Sequence, residues 1–243
     1  MTALQDNPFA GPIAAEYDVL RLMCPNAAVL AQKIGERVAG FRRDAGPLEG
    51  FEIGCGTGIA TLAALSARRD LKLTAIDSAG EMLNQARVNL ADDVSAGRVK
   101  FIEADALAAL RALPDAHMDV VISNYAIHNF QSDYRELAVA EIFRALKPGG
   151  LFVNGDRYAL DDPEAHLADT QAVVSGWFKI FTKMKRLDLL EDWILHLLSD
   201  ESPRHIMYFE PSLAQLRAAG FAPVSVEFRD GVDALVTAVK PGG

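Results

Sequence analysis

Glu52-Ile-Gly-Cys-Gly-Thr-Gly58 stands between an apolar stretch and the Ala-rich run Ile59 to Ala67, and no other segment constrains the fold as tightly. Glycine has no Cβ and enters left-handed backbone space at little cost, so glycines at 54, 56 and 58 let a strand turn sharply into a helix. The same absence of side chains lets a ligand approach bare backbone. The N-terminus of the helix that follows presents free N–H groups, which favour an anionic group, a phosphate or a carboxylate. A nicotinamide or flavin dinucleotide fits poorly. Its fingerprint is G-x-G-x-x-G, and counted from Gly54 the third glycine position is Ile59.

Further apolar runs recur along the chain with helix-like segments between them. They are Gly50 to Ile53, Leu71 to Ile76, Val99 to Glu103, Met118 to Ser123, Leu151 to Asn154, Val224 to Phe228 and Ala234 to Val239. This alternation predicts an α/β fold, a seven-stranded and mostly parallel sheet with helices on both faces. Ser78-Ala-Gly-Glu81 reads as a capping box that starts a helix at Ser78. Another helix, about Asp133 to Leu146, is expected to end at Lys147-Pro-Gly-Gly150. Residues 161–210 then hold helical runs and no clear strand, a helical insertion after the fifth strand. Its apolar residues, Val174, Trp177, Phe178, Phe181 and Met184, then Leu187, Leu190, Trp193, Ile194, Leu197 and Leu198, recur at helical spacing. A lid over a substrate and a plain cover on the sheet both fit that pattern. The expected organisation is one domain over 1–243: an N-terminal helical segment to 47, a cofactor-binding core over 48–160, the insertion, and a C-terminal helix with hairpin strands from 211.

Composition narrows the partners. Acids outnumber bases 33 to 24, a formal charge of −9 that disfavours a broad nucleic-acid surface. No apolar stretch reaches the roughly 18 residues of a membrane span, and the two cysteines, Cys24 and Cys55, offer no disulfide framework. A soluble, cytoplasmic protein is expected, with a small-molecule substrate, no membrane contact, and a homodimer open through the insertion.

In open α/β sheets ligands bind beyond the carboxyl ends of the strands, so the residues that end each run carry most of the functional information. Asp77 ends the second run 23 residues after Gly54, close to where an acid accepts hydrogen bonds from ribose hydroxyls. Helix capping is the structural reading of the same residue. An acid two residues before the first glycine, followed by G-x-G-x-G, resembles motif I of class I S-adenosylmethionine-dependent methyltransferases. Asn124-Tyr-Ala-Ile-His-Asn129 is similar to the motif IV region of the small-molecule enzymes in that superfamily, and Arg144-Ala-Leu-Lys-Pro-Gly-Gly-Leu-Phe-Val153 to the segment that leads into the fifth strand. Ala15-Glu-Tyr-Asp18 resembles the N-terminal segment whose tyrosine approaches the cofactor. The resemblance implies a Rossmann-like fold whose last strand is antiparallel, and S-adenosylmethionine as cofactor. It implies cofactor contacts from Tyr17, Glu52, Gly54, Cys55, Gly56, Asp77, Ser78, Met82, Asp105, Ala106 and Asn124. Asp105 corresponds to the acid that contacts adenine.

Methyl transfer asks the protein mainly to align an acceptor with the reactive methyl group and to exclude water. A base is needed where the acceptor must lose a proton. His128 is the candidate base, because imidazole titrates near neutrality; a hydrogen bond to a backbone carbonyl is the plain structural reading. Arg157 and Tyr158, beyond the fifth run, are candidates to orient substrate. No metal is expected. Asp161, Asp162, Glu164 and His166 cluster, but Asp-Pro-Glu is a common helix start, and His117, His196 and His205 show no ligand spacing. Lys179, Lys183 and Arg186 read as a solvated helical face. Two further functions stay open. Carboxy-S-adenosylmethionine synthases also place helices after the fifth strand and need an arginine for a carboxylate, here Arg186 or Arg204. A non-catalytic module that only binds the cofactor is the other.

Overall fold

Each of the seven apolar runs forms a strand of one sheet in the computed structural model, which describes residues 23–41 and 46–242. The strands are β1 (Leu48–Ile53), β2 (Leu71–Asp77), β3 (Val99–Glu103), β4 (Met118–Asn124), β5 (Leu146–Arg157), β6 (Val224–Asp230) and β7 (Asp233–Val239). Their order in the sheet is β3-β2-β1-β4-β5-β7-β6. Strands β1 to β5 run parallel, and β7 is antiparallel to both neighbours. The order reverses between β1 and β4, which places the glycine turn at the topological switch point.

Alternation along the strands explains the layers. Val121 and Phe152 point to one face of the sheet, Val120, Ile122, Leu151 and Val153 to the other, so the central strands are apolar on both sides. The second face is covered by α1 (Asn26–Gly40), α2 (Ile59–Ala67) and α3 (Gly80–Asn89), through Leu30, Ile34, Val38, Ala64, Leu65 and Leu83. On the first face lie α5 (Ala106–Ala112), α6 (Ser132–Ala145) and α9 (Phe209–Ala218); α4 (Ala91–Ser95) is a short turn before β3. Each fully buried Leu, Ile, Val or Phe of these layers contributes on the order of 1.5–3 kcal/mol by leaving water.

The insertion comprises α7 (Pro163–Met184) and α8 (Leu187–Asp200). Asp162 caps α7 by accepting from the Glu164 and Ala165 N–H groups, with Pro163 at the first helical position. The two helices share a third core of Trp177, Phe181, Leu189, Leu190, Trp193 and Leu197, closed by Met23. The buried face is narrower than the apolar stripe. Phe178, Met184, Leu187 and Leu198 are exposed, because two helices packed mainly on each other cover only the residues that face their shared seam. Among the described residues no helix is long and apolar enough to cross a membrane.

Two local expectations are corrected. Helix α3 begins at Gly80 with Ala79 in the capping position, and neither Ser78 nor Glu81 forms a capping box. Asp77 accepts from the Ala79 N–H at 2.8 Å just ahead of the helix, and no side chain caps its first turn. Helix α6 ends at Ala145, and Leu146 already pairs with Met118 in the sheet. The Lys147-Pro-Gly-Gly150 segment is a bulge inside β5 instead of a turn before it; Pro148 has no N–H for a ladder, and regular pairing resumes at Leu151.

Candidate active site

The turn after β1 meets the loop after β4 at the switch point. Gly54 has φ +64°, and a Cβ there would stand 2.3 Å from the Ala126 Cβ, so the close approach of the two loops requires glycine. Gly56 is different. Its φ is +53°, yet no atom lies within 4 Å of where its Cβ would be, which makes it the open face of the turn. Its N–H donates to Asp77 Oδ2 at 2.8 Å, while Asp77 Oδ1 takes the Ala79 N–H. A carboxylate has about four acceptor positions, and with the Ser78 N–H also drawing on it one remains for a ligand hydroxyl. Burial raises the Asp77 carboxyl above its ordinary value, against the pull of these backbone donors. Ser78 beside it is exposed.

The remaining residues suggested by the sequence divide by depth. Glu52 lies beneath the turn, 1% exposed, and Oε2 accepts from Thr61 Oγ1 at 2.6 Å in the first turn of α2. Burial pushes its carboxyl up to about 8. Cys55 is buried on the α1–α3 face, its N–H bonded to the Ile76 carbonyl, and its thiol is pushed up by burial. Met82 is a buried residue of α3. Asp105 caps α5, accepting from the Ala108 N–H through Oδ1 and from the Tyr134 hydroxyl through Oδ2, both at 2.8 Å. The Ala106 N–H belongs to the first helical turn, where no helix carbonyl is available to it. Asn124 donates from Nδ2 to the Ala27 carbonyl, while Asn124 Oδ1 and Thr57 Oγ1 are buried without a protein partner. Tyr17 lies outside the described residues. An open glycine face, a carboxylate with acceptor capacity left and two unpartnered polar atoms at one switch point fit an adenosine-bearing ligand.

Beyond the loop after β4, residues 127–129 form one turn of 3₁₀ helix held by a residue the sequence reading passed over, Asp156. Asp156 is 0% exposed. Its Oδ2 accepts from the N–H groups of Ile127 and His128, at 3.0 and 3.3 Å, and its Oδ1 from the Arg157 N–H at 2.9 Å. Oδ1 also lies 2.5 Å from His128 Nδ1, which fixes the ring and turns Nε2 the other way. Burial works against a charged His128, but Asp156 and then Asp200 outweigh it, and its pKa is raised. A small cleft lies there, lined by His128, Arg157, Ala159, Asp200, Glu201, His205, Ile206 and Met207.

Arg157 faces this cleft, its Nη2 2.7 Å from Glu201 Oε1, and His166 Nε2 holds the other Glu201 oxygen at 2.7 Å. Tyr158 does not. It is 2% exposed, packs edge-on against Phe209 and receives the Asn154 Nδ2–H on its hydroxyl, so strand alternation turns it into the core when Arg157 faces out. Arg186 is held by Asp188 at the turn between α7 and α8, and Arg204 donates to Gln131. The histidines are also corrected. His196 and Asp200 stand four residues apart on α8, which is a ligand spacing; His128 and His205 line the cleft, while His166 and His196 lie behind it against Glu201 and Asp200. They come from four separate segments, which is why linear spacing hid them.

Residues 51–150 match the family model described as a methyltransferase domain. A carboxy-S-adenosyl-L-methionine synthase of Photobacterium profundum is 27% identical over 180 residues, 67% of this chain and 70% of that protein. One from Shewanella loihica is 28% identical over 201 residues, 78% of this chain and 75% of that protein. Among solved structures, an O-methyltransferase family protein from Burkholderia thailandensis superposes with TM-score 0.66 at 17% identity over all of this chain, which spans only 64% of its length. The YcgJ protein of Bacillus subtilis gives 0.58 at 18% identity, over 86% of this chain and 98% of that one. These two structures share the fold. Motif, domain match and fold together give residues 51–150 a methyltransferase domain on a Rossmann-like fold, similar to the class I S-adenosylmethionine-dependent methyltransferases and distantly to the carboxy-S-adenosylmethionine synthases.

Proposed function

We propose that this protein transfers a methyl group from S-adenosylmethionine to a small-molecule acceptor, and that it acts in the cytoplasm. The observation that carries the reading is the Asp77 carboxylate fixed by the Gly56 and Ala79 N–H groups at the open face of the glycine turn. Asp77 takes a ribose hydroxyl, Gly54 and Gly56 give close backbone approach, and Asp105 with Ala106 faces the adenine. When bound, S-adenosylmethionine supplies an electrophilic methyl group. The chain's own part is to align the acceptor and keep water out. His128 serves the acceptor side. Its Nε2, turned away from Asp156, takes the proton that a hydroxyl or ammonium acceptor must lose, and Arg157 lines the same cleft.

Calorimetry with S-adenosylhomocysteine tests the first half. Hydrogen bonds to a charged group are each worth about 1.5–3 kcal/mol, so Asp77→Ala, which loses at least one, should weaken binding at least about 10-fold. Equal affinity of the variant would remove Asp77 from the cofactor site. The second half is read by turnover with a metabolite extract as the acceptor source. His128→Asn should lower turnover by about 10²-fold or more while leaving S-adenosylhomocysteine affinity within a factor of two to three. Unchanged turnover would take His128 out of the mechanism, and tight binding without any turnover in the wild type would support a binding module.

The relatives at 27–28% identity favour one second reading, formation of a carboxylated cofactor. Arg204 is then the candidate for the added carboxylate, because it adjoins His205 at the cleft, whereas Arg186 is engaged by Asp188. Incubation with prephenate and S-adenosylmethionine, followed by mass analysis, separates the two. A carboxylated product would replace methyl transfer as the activity.

A further inference from the structure

We infer that His128, His196 and Asp200 form a binding site for one divalent transition-metal ion of the zinc class, set in the wall of the cleft. Each of the three side chains offers one ligand atom, and these atoms lie within 4.8 Å of one another; toward Asp200 Oδ2 the nearer nitrogens are His128 Nε2 and His196 Nε2. Both imidazoles converge on the same carboxylate oxygen, at 3.9 and 3.5 Å. Those separations are too long for the bond a histidine makes with an acid. The same region shows what that bond looks like: 2.5 Å from His128 to Asp156, and 2.7 Å from His166 to Glu201. They are close, however, to the roughly 3.3 Å that separates two donors sharing a tetrahedral ion at 2.0–2.1 Å.

Three further features agree. The three side chains are only 8–10% exposed, so the carboxylate has lost most of its water and needs a cation or donors in its place. His128 Nδ1 is bonded to a fully buried carboxylate, the arrangement that orients a ligating histidine and makes its other nitrogen a better donor. His196 and Asp200 lie on one face of α8, and two imidazoles with one carboxylate suit zinc, nickel or cobalt better than magnesium or calcium. The cleft borders His128 and Asp200, which leaves a fourth position for water or an acceptor oxygen. A metal there would lower the pKa of that oxygen, so the lone pair of His128 would act through the ion.

The test is calorimetric titration of zinc chloride into the chelator-treated full chain, repeated with cobalt(II) and visible absorption. One ion per chain with a dissociation constant in the micromolar range or below is expected, with strong cobalt d–d bands. His196→Gln and Asp200→Asn should each weaken zinc at least tenfold and remove those bands. Uptake with no fixed stoichiometry, weak octahedral cobalt bands, or variants that bind as well as the wild type would overturn the site. Circular dichroism melts check that each variant is folded, and Leu198→Ala, at an exposed position of α8, is the control that should retain the ion. The site does not depend on the proposed reaction. S-adenosylhomocysteine binding in the same samples keeps the two apart: its failure with metal uptake intact overturns the cofactor reading alone.

Discussion

Asp156→Ala is expected to lower the thermal midpoint by about 8–16 °C. The residue is completely buried and its carboxylate gathers four donors, the N–H groups of Ile127, His128 and Arg157 and the His128 ring. Alanine leaves all four without an acceptor. Each abandoned buried donor costs about 1–3 kcal/mol, and breaking a buried charged pair about 3–5 kcal/mol, so a loss of about 4 kcal/mol is a conservative sum. For a chain of this size that converts at about 2–4 °C per kcal/mol. Asp156→Asn keeps one acceptor oxygen and should recover part of the loss. Turnover should not follow stability. Neither variant can hold His128 Nδ1 as the carboxylate does, so both should be nearly inactive at temperatures where they are folded. A melt within about 3 °C of wild type for Asp156→Ala would show that these contacts do not hold the loop.

Asp156 also marks the limit of what the sequence discloses. The glycine turn, the seven runs and the acids at 77 and 105 were legible because they are local: adjacent residues set backbone freedom, strand period and strand end. The insertion was legible as helices and misleading as a surface. Phe178, Met184, Leu187 and Leu198 belong to its apolar stripe, and their exposure depends on how far one helix covers another, which spacing does not encode. The acceptor side was the least visible. Arg157 and Tyr158 are neighbours in sequence, but alternation along β5 sends one to the cleft and the other to the core. Asp156, one residue earlier, carries no local signal that separates it from any other polar residue near a strand end. Only the parallel pairing of β4 with β5 brings it under the His128 loop. His196 with Asp200 could have been noticed from their spacing of four, whereas their meeting with His128 is a consequence of the tertiary fold alone.

Replacing Glu52 with glutamine should stabilise the protein at alkaline pH and change little near pH 5. The carboxyl is raised from 4.5 to about 8, first by burial and against the hydrogen bond from Thr61. Between those two values the native state keeps a proton that the unfolded chain has released. Stability therefore falls as pH rises through this window and levels off above it. The shift, 8 less 4.5, corresponds to a penalty on the order of 5 kcal/mol when fully expressed. Glutamine cannot ionise, and its carbonyl oxygen can still accept from Thr61 Oγ1, so the variant escapes the penalty without losing the contact. Melts at pH 5 and pH 8.5 check this: the gap between variant and wild type should open at the higher pH, in favour of the variant, by on the order of 10 °C. A variant that melts lower at both would mean that the proton on Glu52 is not what limits stability. The same protein decides what the acid at 52 is for. If it acts from beneath, holding α2 in place through Thr61, Glu52→Gln should bind S-adenosylhomocysteine as well as the wild type does at pH 7; a tenfold loss would mean that the carboxylate reaches the ligand itself.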